Sequence, residues 1–119
     1  MRLEKNSALL VIDIQQEDFA EMNESNQDEP RWNCIRNARR VLDVFRKMGL
    51  PVIQIKEVHR PDMVDFGREL DGSEGIHCIE NRPENDYAQL TYPLEGEYLI
   101  PKRRYSAFFG TDLEILLKG

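Results

Sequence analysis

Three short apolar runs in this chain each lead into a side chain able to do chemistry. Ala8-Leu9-Leu10-Val11-Ile12 ends in Asp13; Pro51-Val52-Ile53-Gln54-Ile55-Lys56-Glu57-Val58 runs into His59; and Tyr98-Leu99-Ile100 is followed, after Pro101, by Lys102. The first is a continuous apolar run with β-branched residues, the pattern of a strand covered on both faces in a parallel sheet. Open α/β sheets bind their ligands outside the carboxyl ends of such strands. Lys102 therefore emerges where chemistry takes place. Asp13 has two readings. A carboxylate directly after a buried strand costs free energy unless it is hydrogen-bonded or paired, so it is either a cap or turn residue or a catalytic group.

A second constellation is Glu57-Val58-His59 with the later Gly75-Ile76-His77-Cys78. Residues two apart on a strand point the same way, so Glu57 and His59 share a side, and a second imidazole, His77, arriving from a loop completes a divalent metal site. The alternative is a pair of structural or substrate-contacting histidines. Tyr105-Ser106-Ala107-Phe108, just after Lys102, reads as the wall of a pocket, and Lys102-Arg103-Arg104 as a solvated or pocket-lining run rather than a phosphate contact. The two cysteines, Cys34 and Cys78, make neither a disulfide framework nor a metal-binding pair.

The elements that must position these groups are legible in outline. Strands are expected over residues 8–12, 51–58 and 98–100. Between the first two, residues 21–30 form a polar, acidic surface loop. Asp28 or Glu29 then caps a helix with Pro30 in its first turn. Trp32, Ile35, Ala38, Val41, Leu42, Phe45 and Met48 recur at three and four residues as its packing stripe, ended by Gly49 and Pro51. Cys34 lies beside that stripe and reads as a small core residue rather than a nucleophile. Strand, helix, strand is the signature of a right-handed parallel crossover. Residues 60–93 carry no long periodic pattern, and so long a connection usually flanks a functional site. Thr111 and Glu114 have capping-box spacing, so a final helix starts near Asp112, with Ile115, Leu116 and Leu117 as its packing face.

At 119 residues the chain forms at most one domain. With 22 acidic against 16 basic residues, its net charge of −6 disfavours nucleic acid and anionic membrane surfaces as partners. No apolar run approaches the roughly 20 residues needed to span a bilayer, and the first residues lack the apolar core of a signal peptide. A cytoplasmic location is expected.

Two of these stretches carry a resemblance. Lys102-Arg103-Arg104-Tyr105-Ser106-Ala107-Phe108, with Gly110-Thr111-Asp112-Leu113 after it, resembles the lysine segment of the isochorismatase-like cysteine hydrolases. That superfamily contains nicotinamidases, N-carbamoyl amide hydrolases and isochorismate hydrolases. Val11-Ile12-Asp13-Ile14-Gln15, followed by Asp18-Phe19, is similar to its opening motif, with one extra residue between Gln15 and Phe19. His59 and His77 are similar to metal ligands of the nicotinamidase branch, with Glu57 in place of an aspartate. A further histidine expected soon after the first is absent, and Asp62 or Met63 stands near its place.

The resemblance implies a Rossmann-like, doubly wound parallel α/β sheet with helices on both faces, of which residues 1–119 supply strands one to three of an expected six. It implies an Asp-Lys-Cys triad that hydrolyses the C–N bond of a small carbamoyl, ureido or nicotinamide-type amide. Asp13 is then the general base and Lys102 the stabilising cation. Phe19, Arg68, Tyr105 and Phe108 border the substrate, with Arg60 as a second arginine. The triad requires no cofactor, and a divalent metal at His59 and His77 is the candidate addition. The cysteine should follow a fourth strand, in a segment after Gly119. Residues 1–119 are thus expected to be an incomplete domain, and residues 8–12, central in a complete sheet, an apolar edge. The missing part is expected from a longer chain, a complementing C-terminal chain or a cleaved fragment, and homo-oligomers are expected. Two alternatives accompany this reading. One is an isochorismate-type vinyl ether hydrolase with Asp13 as general acid. The other is a catalytically silent fragment or interaction subunit.

Overall fold

The computed structural model describes residues 4–16, 30–66 and 75–119. Three strands, β1 (Leu9–Ile12), β2 (Val52–Glu57) and β3 (Tyr98–Lys102), form one parallel sheet in the order β1-β2-β3. Leu9 pairs with Val52 and Ile12 with Ile55; on the other side Ile53 pairs with Tyr98 and Glu57 with Lys102. This register brings the carboxyl ends of all three strands to one rim. Asp13, Glu57 and Lys102 stand on it.

Alternation along the strands divides the core in two. Leu9, Val11 and Val52 face α1 (Pro30–Met48), packing on Val41, Leu42 and Phe45. Leu10, Ile53, Ile55 and Ile100 face the opposite way, toward Ala107 and α2 (Leu113–Lys118), whose Leu113 is fully buried. Helices on both faces of a parallel sheet make this a doubly wound α/β arrangement. Among the described residues β2 is the central strand, and β1 has a strand on one side only. Ile12 at its end is exposed.

Helix α1 follows the expected stripe in its middle. Ile35, Leu42 and Phe45 are buried, whereas Met48 is exposed. Its end is fixed by Gly49 at φ 68°, where Gly49 N–H donates to Arg46 O at 3.2 Å and Leu50 N–H to Phe45 O at 3.0 Å. Only a residue tolerant of the left-handed region closes a helix this way. Asp28 and Glu29, its expected caps, lie outside the described residues. Cys34 is exposed, which corrects its reading as a core residue.

Helix α2 departs from expectation more sharply. Thr111 Oγ1 donates to Ala107 O and accepts the Leu113 N–H at 3.3 Å, while Glu114 pairs with Lys118 at 2.7 Å, so the capping box does not form. Thr111 is drawn back to the turn preceding the helix. Leu113 and the half-buried Leu116 are the packing face; Ile115 and Leu117 are exposed.

The long connection carries short structure of its own. Single 3-10 turns occur at Pro83–Asn85 and Gln89–Thr91, and isolated bridges join His59 to Ile79 and Gln15 to Tyr87. No helix among the described residues is long and apolar enough to cross a membrane.

Candidate active site and metal-ligand cluster

Asp13 follows β1 in the left-handed region, at φ 60°, with its N–H donating to Ile55 O at 2.9 Å. This backbone is sparsely populated for a residue other than glycine and persists only where neighbours enforce it. Here the bond to β2 enforces it. Lys102, closing β3, is buried, and its Nζ lies 3.2 Å from Asp13 Oδ2. The same ammonium donates to the carbonyls of Arg104 and Tyr105, each at 3.1 Å. A buried ammonium is tolerable only with an anion and acceptors of this kind. The result is a carboxylate able to take a proton beside a fixed positive charge able to stabilise an anion.

Gln15, two residues past Asp13, is a buried clamp that composition and spacing do not single out. Its Nε2 donates to Glu57 O at 3.2 Å, Asn85 O at 3.1 Å and Asn85 Oδ1 at 2.7 Å, and its Oε1 accepts the Glu57 N–H at 2.9 Å. One side chain thus joins the rim after β1, the end of β2 and the 3-10 turn at Asn85. Cys78 Sγ lies 3.9 Å from the same Nε2.

Glu57, His59 and His77 do converge, each offering a donor atom within 4.8 Å of the others. His77 Nε2 is 3.0 Å from Glu57 Oε2, and His59 Nε2 is 3.7 Å from Glu57 Oε1. The parallel bridge between His59 and Ile79 carries His77 to the site, through His59 N–H to Cys78 O at 2.7 Å and Glu80 N–H to His59 O at 2.8 Å. His59 is fully buried, and among the described residues neither ring nitrogen has a hydrogen-bond partner. A buried imidazole lacking partners on both nitrogens costs about 1–3 kcal/mol for each. A cation in front of Nε2 would remove one of these costs, and two imidazoles with one carboxylate are donors suited to zinc or another first-row divalent ion. The residues present fit a metal.

Neither Asp62 nor Met63 enters the cluster. Asp62 Oδ1 accepts the Val64 N–H at 3.1 Å, and Met63 is exposed. The acidic group that does reach it is Asp65, whose Oδ1 is 3.5 Å from His59 Nδ1. Burial pushes the Asp65 carboxyl up, but the Arg60 N–H and the charge of Arg103 outweigh it and hold the group below the usual carboxylate range. Beside it, the Phe66 ring stacks on His59 with centroids 3.9 Å apart.

Of the other expected contacts, Tyr105 and Phe108 are exposed, and Tyr105 serves Lys102 through its carbonyl. Arg60 is exposed with Nε 4.0 Å from Asp65 Oδ2. Phe19 and Arg68 lie outside the described residues. Cys34, on α1, and Cys78, near Gln15, are both reduced.

Comparison with known proteins places this geometry in context. The family model described as "Isochorismatase domain" matches residues 7–119. A probable inactive nicotinamidase of Arabidopsis thaliana is 29% identical over 127 aligned residues, covering 96% of this chain and 60% of that protein. The crystal structure of N-carbamoylsarcosine amidase from Thermoplasma acidophilum superposes with a TM-score of 0.73 at 28% identity, covering 93% of this chain and 60% of that one. Pyrazinamidase of Pyrococcus horikoshii, solved in complex with zinc, gives a TM-score of 0.69 at 27% identity, with 94% and 63% covered. The chain therefore spans about 60% of the length of that nicotinamidase relative.

Proposed function

The chain belongs to the isochorismatase family, and on that premise we propose that it supplies the acid–base half of a hydrolase cleaving a C–N bond in a small amide of carbamoyl, ureido or nicotinamide type. The observation that carries this reading is the Asp13–Lys102 pair on the sheet rim, at 3.2 Å. In this mechanism Asp13 accepts the proton of a cysteine thiol, and the thiolate attacks the amide carbonyl. The buried Lys102 ammonium stabilises first the thiolate and then the developing negative charge. The amine leaves with a proton, and water releases the acid. The thiol belongs to a segment outside residues 1–119, as does the rest of the domain. Glu57, His59 and His77 would hold a divalent metal, which as a Lewis acid supplies polarisation of a bound carbonyl or ring nitrogen. Tyr105 and Phe108 border the substrate in this reading, a homo-oligomer completes the surroundings, and the location is cytoplasmic.

A second reading, a catalytically silent chain, is favoured by the relative named as a probable inactive nicotinamidase. One experiment separates them. Ammonia release from nicotinamide, N-carbamoyl and ureido amides is assayed on protein purified from its own host, with intact mass measured on the same sample. Release abolished by both Asp13→Asn and Lys102→Ala is the expected result. Normal rates in either variant overturn the assigned roles, absence of release from every amide favours the silent reading, and turnover of isochorismate alone points to vinyl ether hydrolysis.

A further inference from the structure

The metal cluster contains an asymmetry that the three donor residues do not explain. His77 Nδ1 lies 2.6 Å from Gly75 O. A carbonyl can only accept, so Nδ1 carries the proton, and the opposite nitrogen, Nε2, is the one turned to Glu57. A metal-binding imidazole is normally fixed in this way, its second N–H held by a carbonyl or carboxylate. His59 presents the same nitrogen to Glu57, yet among the described residues no backbone carbonyl accepts from its Nδ1. What stands there is Asp65.

We infer that Asp65 is the positioning residue of this cluster, the acceptor that keeps the proton of His59 on Nδ1 so that Nε2 is left unprotonated and aimed, with Glu57 and His77, at a single divalent cation. The inference rests on the metal reading above and deepens it. Three observations carry it. First, the two nitrogens of one ring face opposite ways, so a cation seated between His59 Nε2 and Glu57 lies across the ring from Asp65. Asp65 therefore acts through His59 rather than as a ligand. Second, Asp65 is itself fastened: its carboxylate accepts the Arg60 N–H at 3.0 and 3.2 Å and lies 3.2 Å from Arg103 Nη1, while Arg104 donates to its backbone carbonyl. A carboxylate held by two partners, on a backbone held by a third, keeps a fixed orientation. Third, Phe66, the next residue, lies flat on the His59 ring at an interplanar angle of 16°. Carboxylate and phenyl ring together define both the rotation of the imidazole and its protonated atom.

The 3.5 Å separation of Nδ1 and Asp65 Oδ1 exceeds a good hydrogen bond. A cation on Nε2 makes the opposite N–H a stronger donor, so metal loading is expected to draw the two together.

The test has two arms. In the chelator-treated protein, long-range proton–nitrogen NMR of the imidazoles is expected to show His59 protonated at Nδ1, shifting toward Nε2 in Asp65→Ala. A wild-type His59 protonated at Nε2 overturns the inference and depends on no variant folding. In the second arm, cobalt(II) is titrated into metal-free protein and followed by visible absorption. Asp65→Ala is expected to bind roughly 10- to 100-fold more weakly at unchanged stoichiometry, with Asp65→Asn, which retains an acceptor of the same shape, between the two. Tight uptake by the wild type with equal affinity in both variants overturns the role of Asp65 and leaves the metal reading standing. No uptake by the wild type overturns both.

Discussion

Lys102 Nζ lies 3.2 Å from Asp13 Oδ2, and the partners differ in exposure: 2% of the lysine side chain is accessible against 46% of the aspartate. The cation is the fixed member and the carboxylate the approachable one. The proposed triad needs this arrangement, with the carboxylate open to an incoming thiol and the cation enclosed.

That asymmetry predicts unequal costs for stability. Lys102→Met leaves the carbonyls of Arg104 and Tyr105 without their donor and is expected to destabilise the fold by about 1–3 kcal/mol. Asp13→Asn keeps a residue that tolerates the left-handed backbone but leaves the buried Lys102 ammonium without its anion, so its cost is expected to be larger, about 3–5 kcal/mol. Urea unfolding of the two variants checks the order; a larger loss in Lys102→Met would contradict it.

Gln15 predicts an effect at a distance. Gln15→Ala deletes the bonds that tie the rim after β1 to the Glu57 backbone and to Asn85. Four polar groups lose a partner, and a destabilisation of roughly 2–4 kcal/mol is expected. Because Glu57 also belongs to the proposed metal cluster, cobalt(II) affinity should fall with it. An unchanged unfolding midpoint would show that water replaces the amide at no cost.

The Arg46–Glu97 pair predicts the acid limb of stability. Glu97 accepts two hydrogen bonds from Arg46, at 2.7 and 2.9 Å, and one from the Leu94 N–H at 2.9 Å. Burial pushes its carboxyl up, but these bonds outweigh it and hold the group below its ordinary value of 4.5. A depressed folded value means that the contribution is complete above the unfolded value and disappears as pH falls through the folded one. Stability should therefore decline below about pH 4.5, and Glu97→Gln should flatten that part of the profile. Chemical denaturation at a series of acidic pH values reads the slope directly.

Helix α2 predicts a contrast between neighbours. Leu113→Ala removes a fully buried side chain and is expected to cost roughly 2–5 kcal/mol, whereas Ile115→Ala, on an exposed position, stays within about 0.5 kcal/mol. Thermal unfolding of the pair distinguishes them. Equal losses would mean that Ile115 is covered in solution by a partner or a further segment.

The strands, α1 and the rim positions of Asp13 and Lys102 were legible because periodicity reports burial, and burial dominates those segments. Val52 and Ile53 in β2 lie in opposite cores, yet both are apolar, which is what a strand covered twice requires. The approach of Glu57, His59 and His77 was also legible, since two-residue spacing on a strand fixes two of the three donors. What escaped depends on partners brought by topology. Thr111 and Glu114 have capping spacing, but Thr111 finds Ala107 and Glu114 finds Lys118. Asp65 lies among several charged residues of one loop, and only the path of that loop past His59 sets it apart.

Lys102 and Arg103 are adjacent on one strand end and serve different centres. Lys102 reaches Asp13, while Arg103 donates to Val58 O at 2.7 Å and meets Asp65 on the metal side. Parity along β3 decides which cation serves which anion. A single-residue deletion between Gly96 and Pro101 would set Arg103 in the place of Lys102 beside Asp13, and an insertion would set Pro101 there and turn Lys102 toward Asp65. Length in that segment should consequently matter more than the identity of its exposed side chains, Tyr98 and Leu99. Substitutions there should be tolerated where indels are not.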